Sequence, residues 1–300
     1  MDVDTRLLRY FAAVAEEGHL TRAAERLYVS QPALTKQIRQ LEKQLGVQLF
    51  VRTPGGMRLT EAGRALADRV PAVLDGLAEA LRRTRQAARR AEQVVRAGFL
   101  AGAAGEATQA IIAAFGRRRP GWRVEMRHAS WSAPTADLVA GDVDVALLPL
   151  PLPGQEELRV EVLLTEPRWV VMAEAHPLAV REELAFRELW DEPFVAAPAE
   201  AGAWRDYWLA TEGREGREPR IGAVADNPDD WLSAVANGYG IALAPASAAR
   251  YYARPGVAYR PLTGVAPNSV AVVWKPAADA DPVVRDFVGC CLEYRQQPSS

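Results

Sequence analysis

Residues 20–46 read Leu20-Thr21-Arg22-Ala23-Ala24-Glu25-Arg26-Leu27-Tyr28-Val29-Ser30-Gln31-Pro32-Ala33-Leu34-Thr35-Lys36-Gln37-Ile38-Arg39-Gln40-Leu41-Glu42-Lys43-Gln44-Leu45-Gly46, and this stretch decides the N-terminal fold. Ala23, Ala24 and Leu27 form the inner face of a short helix. Tyr28-Val29-Ser30 is a tight connection. Ser30 is a good N-cap, and Pro32 is tolerated in a first helical turn. Leu34, Ile38, Leu41 and Leu45 then recur at steps of three and four, which predicts a helix from Gln31 to Leu45, ended by Gly46. Upstream, Leu7, Leu8, Phe11, Val14 and Ala15 predict another helix from Thr5 to Glu17, capped by Asp4 and stopped by Gly18. Downstream, Leu49-Phe50-Val51 and Met57-Arg58-Leu59 flank Thr53-Pro54-Gly55-Gly56, a turn sequence. Residues 1–60 thus read as a winged helix-turn-helix.

Thr60 is placed to cap a long helix reaching about Glu92. Leu66, Val70, Val73, Leu77, Ala80, Thr84, Ala87 and Ala91 fall on one heptad-like seam, with Leu81 beside it. The stripe needs a cover. Two covers are open: a second copy of the chain, with Leu66, Val70, Val73, Leu77 and Leu81 at the contact, or packing within the chain itself. Pro71 should kink this helix. From Val94 strands alternate with helices: Val94–Leu100, a helix from Glu106 to Arg118, Trp122–Met126, a helix from Pro134 to Ala140, and Val143–Leu148. The strand signal recurs at Trp169–Met172, Phe194–Ala197, Ala223–Ala225 and Ile241–Leu243. This implies an α/β fold class with parallel strands and covering helices. The division is 1–60, a linker helix 61–92, and 93–300, whose first lobe takes 93–163 and 265–300 and whose second takes 164–264.

Composition fits a globular chain: 49% hydrophobic and 25% charged residues over 300. The net charge of −2 hides a split. Residues 1–96 carry 17 Lys and Arg against 11 Asp and Glu, and the remainder carries 19 against 27. A basic N-terminal segment on an acidic body suits an anionic polymer. Met1-Asp2-Val3-Asp4 lacks the order of a secretion signal, and no apolar run reaches the roughly 18–20 residues of a membrane span. Cys290 and Cys291 are adjacent and unsuited to an ordinary structural disulfide. The expected location is the cytoplasm.

The second helix of a helix-turn-helix lies in the major groove with its N-terminal residues at base edges. Here those outward residues are Gln31, Thr35, Lys36 and Arg39. Gln can pair with adenine, Lys with guanine, and a Thr methyl can touch thymine. Arg22, Ser30, Arg52 and Arg58 are the candidates for phosphates.

Leu7-Leu8-Arg9-Tyr10-Phe11, Thr21 to Leu27, Val29 to Ile38, Leu41-Glu42, Leu45-Gly46, Leu49-Phe50, Arg52 and Leu59-Thr60-Glu61-Ala62-Gly63 together closely resemble the LysR-type transcription regulators. Gly141 to Ala146, His176-Pro177-Leu178 and Asn237 to Pro245 resemble later landmarks of that family. The resemblance implies a two-lobed, periplasmic-binding-protein-like (type 2) effector domain that takes a small molecule between its lobes. It implies dimers formed through the long helix, often tetramers, and double-stranded DNA with an interrupted palindrome as partner. RNA polymerase is a further partner on this reading. It also places Pro32 beside Gln31, Thr35 and Lys36 at base-contacting positions. Two departures stand out. The family often has Ser-Arg where Thr35-Lys36 stand, and Lys lacks the planar fork of Arg. The wing tip, Pro54-Gly55-Gly56, carries no basic residue.

Ligands of two-lobed α/β domains sit beyond the carboxyl ends of strands. The expected effector-binding set is therefore Gly102, Ala103, Ser130, Trp131, Ser132, Pro149, Trp204 and Asn227. Family members that bind carboxylates commonly carry Ser or Thr in the first loop. Here no hydroxyl precedes Thr108, and Glu106 would disfavour an anion. Trp131 and Trp204 either hold a partly apolar effector or simply pack. Cys290 and Cys291 either sense redox state or pack. His19, His128 and His176 form no catalytic constellation, and no phosphate loop, metal-ligand spacing or cofactor motif is present, which argues against an enzyme. A winged-helix protein with a vestigial, ligand-independent sensor domain is the other reading.

Overall fold

The computed structural model describes residues 3–100 and 105–295. The chain divides into two compact units, residues 1–85 and 86–300.

The first unit begins with three helices: α1 Thr5–Glu17, α2 Leu20–Arg26 and α3 Gln31–Leu45. Their ends follow the residues expected to set them. The Asp4 carboxylate accepts the Arg6 N–H, and Gly18 closes α1 at φ +64°. Leu7, Phe11, Val14, Ala23, Ala24, Leu34, Ile38 and Leu41 are buried in one core. A hairpin follows, β1 Phe50–Thr53 and β2 Gly56–Leu59, in the register Phe50↔Leu59 to Thr53↔Gly56. Gly56 is obligatory. Its φ is +120°, and a Cβ there would lie 2.4 Å from the Gly18 carbonyl oxygen. The Glu42 carboxylate accepts the Leu49 N–H at 2.8 Å, tying the end of α3 to the hairpin.

The single helix expected from Thr60 to Glu92 is two helices, α4 Glu61–Ala67 and α5 Val70–Ala91. The Thr60 hydroxyl caps α4, accepting the Gly63 N–H at 3.0 Å. The break falls at Asp68-Arg69. Pro71 accounts for it: proline has no N–H and its ring crowds the carbonyl four residues back, that of Ala67. The chain therefore restarts a helix with Pro71 in its first turn. The break also splits the seam. Leu66 and Val70 are committed to the core of the first unit, with Val70 only 2% exposed. Leu77 is half-buried, while Val73 and Leu81 stay exposed.

The second unit contains β3 Val94–Phe99, α6 Glu106–Arg118, β4 Arg123–His128, α7 Ala136–Ala140, β5 Val145–Pro149 and β6 Arg159–Glu166. Then come β7 Arg168–Ala173, β8 Leu184–Ala185, β9 Pro193–Ala196, α8 Ala203–Trp208, β10 Arg220–Val224, α9 Pro228–Ala236 and β11 Ala242–Pro245. It ends with α10 Ala248–Tyr251, β12 Val257–Thr263, β13 Asn268–Trp274 and α11 Pro282–Arg295. One sheet has the order β4-β3-β5-β13-β6, and a second has β11-β7-β12-β8. The pair β9-β10 adjoins the second sheet through a bridge from Phe194 to Ile241. The sheets define two lobes. The chain passes from first to second at Pro167 and returns between Gly264 and Pro267.

The all-parallel expectation holds for β3 with β4 and β5 and for β9 with β10. It fails at β7, which is antiparallel to both β11 and β12, and at β13, antiparallel to β5 and β6. Cys290 and Cys291 are buried free thiols on α11, within the core of the first lobe. Burial pushes both thiols up.

Candidate nucleic-acid interface and ligand cleft

The Ser30 hydroxyl accepts the Ala33 N–H at 3.3 Å and fixes the start of α3. With Leu34, Ile38 and Leu41 turned inward, Gln31, Pro32, Lys36 and Arg39 are exposed. Thr35 is half-buried. Its hydroxyl donates to the Gln31 carbonyl at 2.9 Å, so its methyl is the part left for an outside contact. Thr35, Arg39 and Arg52 line one surface depression together with Phe50 and Met57. Helix α3 and the first wing strand thus present a common face.

The expected phosphate set does not stay together. Arg52 pairs with Met57 and Arg58 with Val51, so the two arginines sit on opposite faces of the hairpin. Arg22 is engaged by the Glu17 carbonyl and carboxylate rather than left free. Ser30 is spent as the cap, although it remains exposed. Tyr28, which the sequence analysis does not single out, is 96% exposed with φ +53°, shortly before α3. Its signal was a large aromatic in a tight turn.

The cleft lies where the ligand rule for α/β sheets puts it. Leu100 follows β3, Pro149 ends β5, Ala196 ends β9 and Pro245 ends β11, and all four line one cavity of about 80 Å³. Trp131 and Trp204 line it as expected, 7% and 4% exposed, with ring centroids 5.7 Å apart. Trp231 lies 6.1 Å from Trp131, and Trp208 lies 6.1 Å from Trp204. The residues expected to add polarity do otherwise. Ser130 and Ser132 are outside the lining, and the Ser130 hydroxyl accepts the Ser132 N–H within its own loop. Asn227 is consumed as the cap of α9, accepting the Asp230 N–H at 2.9 Å and donating to Asp226 and Asp230. Gly102 and Ala103 lie outside the described residues, as does the side chain of Glu106.

Residues the sequence did not single out supply the remaining chemistry. Asn268, the first residue of β13, lines the cavity at 0% exposure, and neither its Oδ1 nor its Nδ2 has a partner among the described residues. The indole nitrogens of Trp131, Trp204 and Trp208 are likewise buried without an acceptor, as is Arg205 Nε. Beside the cavity Arg168 staples the return crossing. Its Nε donates to the Ala266 carbonyl and its Nη1 to the Tyr207 carbonyl, both at 2.6 Å. Burial lowers its pKa, and the Tyr207 ring, 4.2 Å away, takes the place of a carboxylate. Among the described residues no group of three or more His, Cys, Asp and Glu side chains could hold a metal ion. His176 is used in its own turn, where Nδ1 accepts the Leu178 N–H at 3.2 Å.

Residues 5–64 match the family model "Bacterial regulatory helix-turn-helix protein, lysR family", and residues 88–296 match "LysR substrate binding domain". The HTH-type transcriptional regulator AlsR of Bacillus subtilis is 28% identical, over 99% of this chain and 99% of its own. The Hca operon transcriptional activator HcaR of Escherichia coli is 31% identical, over 97% of this chain and 98% of its own. The structure of full-length CbnR complexed with its target DNA superposes with a TM-score of 0.54 at 24% identity, covering 98% of this chain and 100% of that one.

Proposed function

Since the chain belongs to the LysR family of transcription regulators, we propose that it reads an interrupted palindrome through α3 and is switched by a small molecule held between the two lobes. It is a DNA-binding transcription regulator with an effector-binding domain. The observation that carries the DNA half is the shared face of α3 and β1. It offers Gln31, Pro32, Thr35, Lys36 and Arg39 to base edges and Arg52 to phosphate. A Lys in place of the family's usual Arg gives a single-point donor where a bidentate one is common, so the preferred bases should differ.

A second copy of the chain covers α5 on this reading, with Val73, Leu77 and Leu81 at the contact, and dimers pair into tetramers. Val70 is left out because its own unit already buries it, and Leu66 because it packs, partly buried, on the same core. The structurally similar CbnR was solved in complex with its target DNA, which supports DNA as the partner. RNA polymerase is a further partner. The protein acts in the cytoplasm, and among the described residues no helix is long and apolar enough to cross a membrane. No enzymatic step is part of the proposal.

The mechanism is linkage. An effector that binds one closure of the lobes more tightly than another changes how the dimers hold DNA, by no more than that difference in affinity. The test is a mobility-shift assay on the DNA flanking the gene, using wild type and Lys36→Ala. Weaker binding with relaxed preference at one base pair supports the reading. Wild-type affinity and preference would overturn it. For the sensor half, a small molecule must raise the melting temperature and shift the DNA-binding curve together. Stabilisation with no effect on DNA binding would leave a ligand site without a switch.

A further inference from the structure

The cavity between the lobes carries more chemical information than its apolar walls suggest. Asn268 is fully buried on it, and among the described residues both the donor and the acceptor of its planar carboxamide are free. Trp131, Trp204 and Trp208 add indole N–H groups that also lack acceptors among the described residues. A polar group buried without a partner costs free energy, so a fold keeps one where another molecule supplies the partner. Arg205 is the one formally charged side chain in the lining, and it is partly exposed.

We propose that the cavity takes an uncharged aromatic carboxamide or lactam, its amide face paired with Asn268 and its ring caged by Trp131, Trp204, Trp208 and Trp231. This rests on the cleft being the effector site, and it names the class of effector. The pairing is reciprocal. Asn268 Nδ2–H donates to the ligand carbonyl, and the ligand N–H donates to Asn268 Oδ1. Spare carbonyl lone pairs face donor-only indoles. A carboxylate would satisfy Nδ2 but set its negative charge against Oδ1, and among the lining residues only the partly exposed Arg205, whose Nε has no acceptor among the described residues, could offset its desolvation. The indoles, 5.7 to 6.1 Å apart and tilted or edge-on, suit a flat ring.

The test is titration of the full-length protein with benzamide and benzoate, read by tryptophan emission, on wild type and Asn268→Leu. Wild type should bind benzamide about tenfold or more tightly than benzoate, because a site built to hydrogen-bond an N–H rejects the analogue lacking it. Asn268→Leu should lose that preference while melting at or above the wild-type temperature, because an apolar side chain replaces an unpartnered polar one. Benzoate binding as tightly as benzamide, or no benzamide binding, overturns the class and leaves the cleft reading standing. A several-degree fall in the melting temperature of Asn268→Leu with unchanged benzamide affinity also overturns it, since Asn268 would then be structural. A ligand of any class that stabilises wild type and Trp131→Ala equally overturns the cleft reading instead.

Discussion

Asp144 and Asn268 lie just beyond opposite ends of one antiparallel ladder, that of β5 with β13, and both are buried. Their surroundings could hardly differ more. The Asp144 carboxylate lies 3.2 Å from Arg90 and 3.6 Å from Arg89 and accepts the Arg96 N–H at 2.9 Å. Arg90 also reaches Asp281 at 2.9 Å. Asn268 has no partner at all among the described residues. The closed end anchors the last turn of α5 to the effector domain. The open end faces a cavity. The carboxylate at one end is saturated and the carboxamide at the other is not, although Arg89 Nε beside Asp144 also lacks a partner among the described residues.

The largest way to test this contrast is Asp144→Ala. It leaves the buried Arg89 guanidinium without a carboxylate while Arg90 keeps Asp281, and the expected loss is about 3 kcal/mol of effector-domain stability, measured by urea unfolding. A change within about 0.5 kcal/mol, typical of surface positions, would erase the distinction. Tyr259 is a second closed group. It lies in the core that spans both sheets, and its hydroxyl donates to the Tyr252 carbonyl at 3.0 Å. Burial pushes its pKa from 10.0 up to about 12. The folded state thus holds this proton more tightly than the unfolded chain. The stabilisation is complete below pH 10 and is lost as pH rises toward 12, by about 2–3 kcal/mol. Tyr207 and Tyr252 shift the same way through burial. Alkaline melting curves should steepen over that window, and Tyr259→Phe should flatten part of the fall. An unchanged curve in the variant would place the alkaline loss elsewhere.

The closed groups and the open one were not equally legible in the sequence. Helix caps such as Asp4, Ser30 and Thr60 act on residues two or three positions away, so they could be read locally. The reading face of α3 followed from the same periodicity. Trp131, Trp204 and Pro149 could be placed because they follow strands whose pattern was clear. Asn268 could not, because β13 had not been recognised as a strand. It begins after the return crossing, and its partners β5 and β6 lie over a hundred residues earlier. Asn227 misled for the converse reason: a loop Asn after a strand fits a ligand contact and a helix cap equally well, and Pro228 at the next position favoured the cap. The seam at Leu66 and Val70 misled because periodicity ran through Pro71 without registering that the helix restarts there.

The reading surface supplies a third condition, polar groups that are unpaired but exposed. Lys36 and Arg52 are exposed and make no ion pair among the described residues. Water solvates them, so unlike Asn268 they cost the fold nothing by standing open. Their removal should leave melting unchanged and act on DNA alone. Lys36→Ala should cost about 1–3 kcal/mol at one base pair and little on unrelated sequence. Arg52→Ala should weaken binding to all sequences and reduce the salt slope by about 0.9. An unchanged slope would remove Arg52 from the phosphate set.

Tyr28 marks the boundary of this contrast, because it is exposed and yet strained. It holds φ +53° with 96% of its surface in solvent, so its conformation is imposed by the turn between α2 and α3. The turn is fixed on both sides: the Val29 N–H donates to the Ala24 carbonyl at 3.0 Å, and Ser30 caps α3. Glycine adopts this region without steric cost, although it adds entropy to the unfolded chain. Tyr28→Gly should therefore stabilise the first unit by no more than about 1 kcal/mol, a balance of relieved left-handed strain against that entropy. Thermal melting together with a mobility shift separates the possibilities. A higher melting temperature with unchanged DNA affinity identifies Tyr28 as a turn residue alone. A higher melting temperature with weaker DNA binding shows strain retained at a contact, the exposed counterpart of the open carboxamide in the cleft.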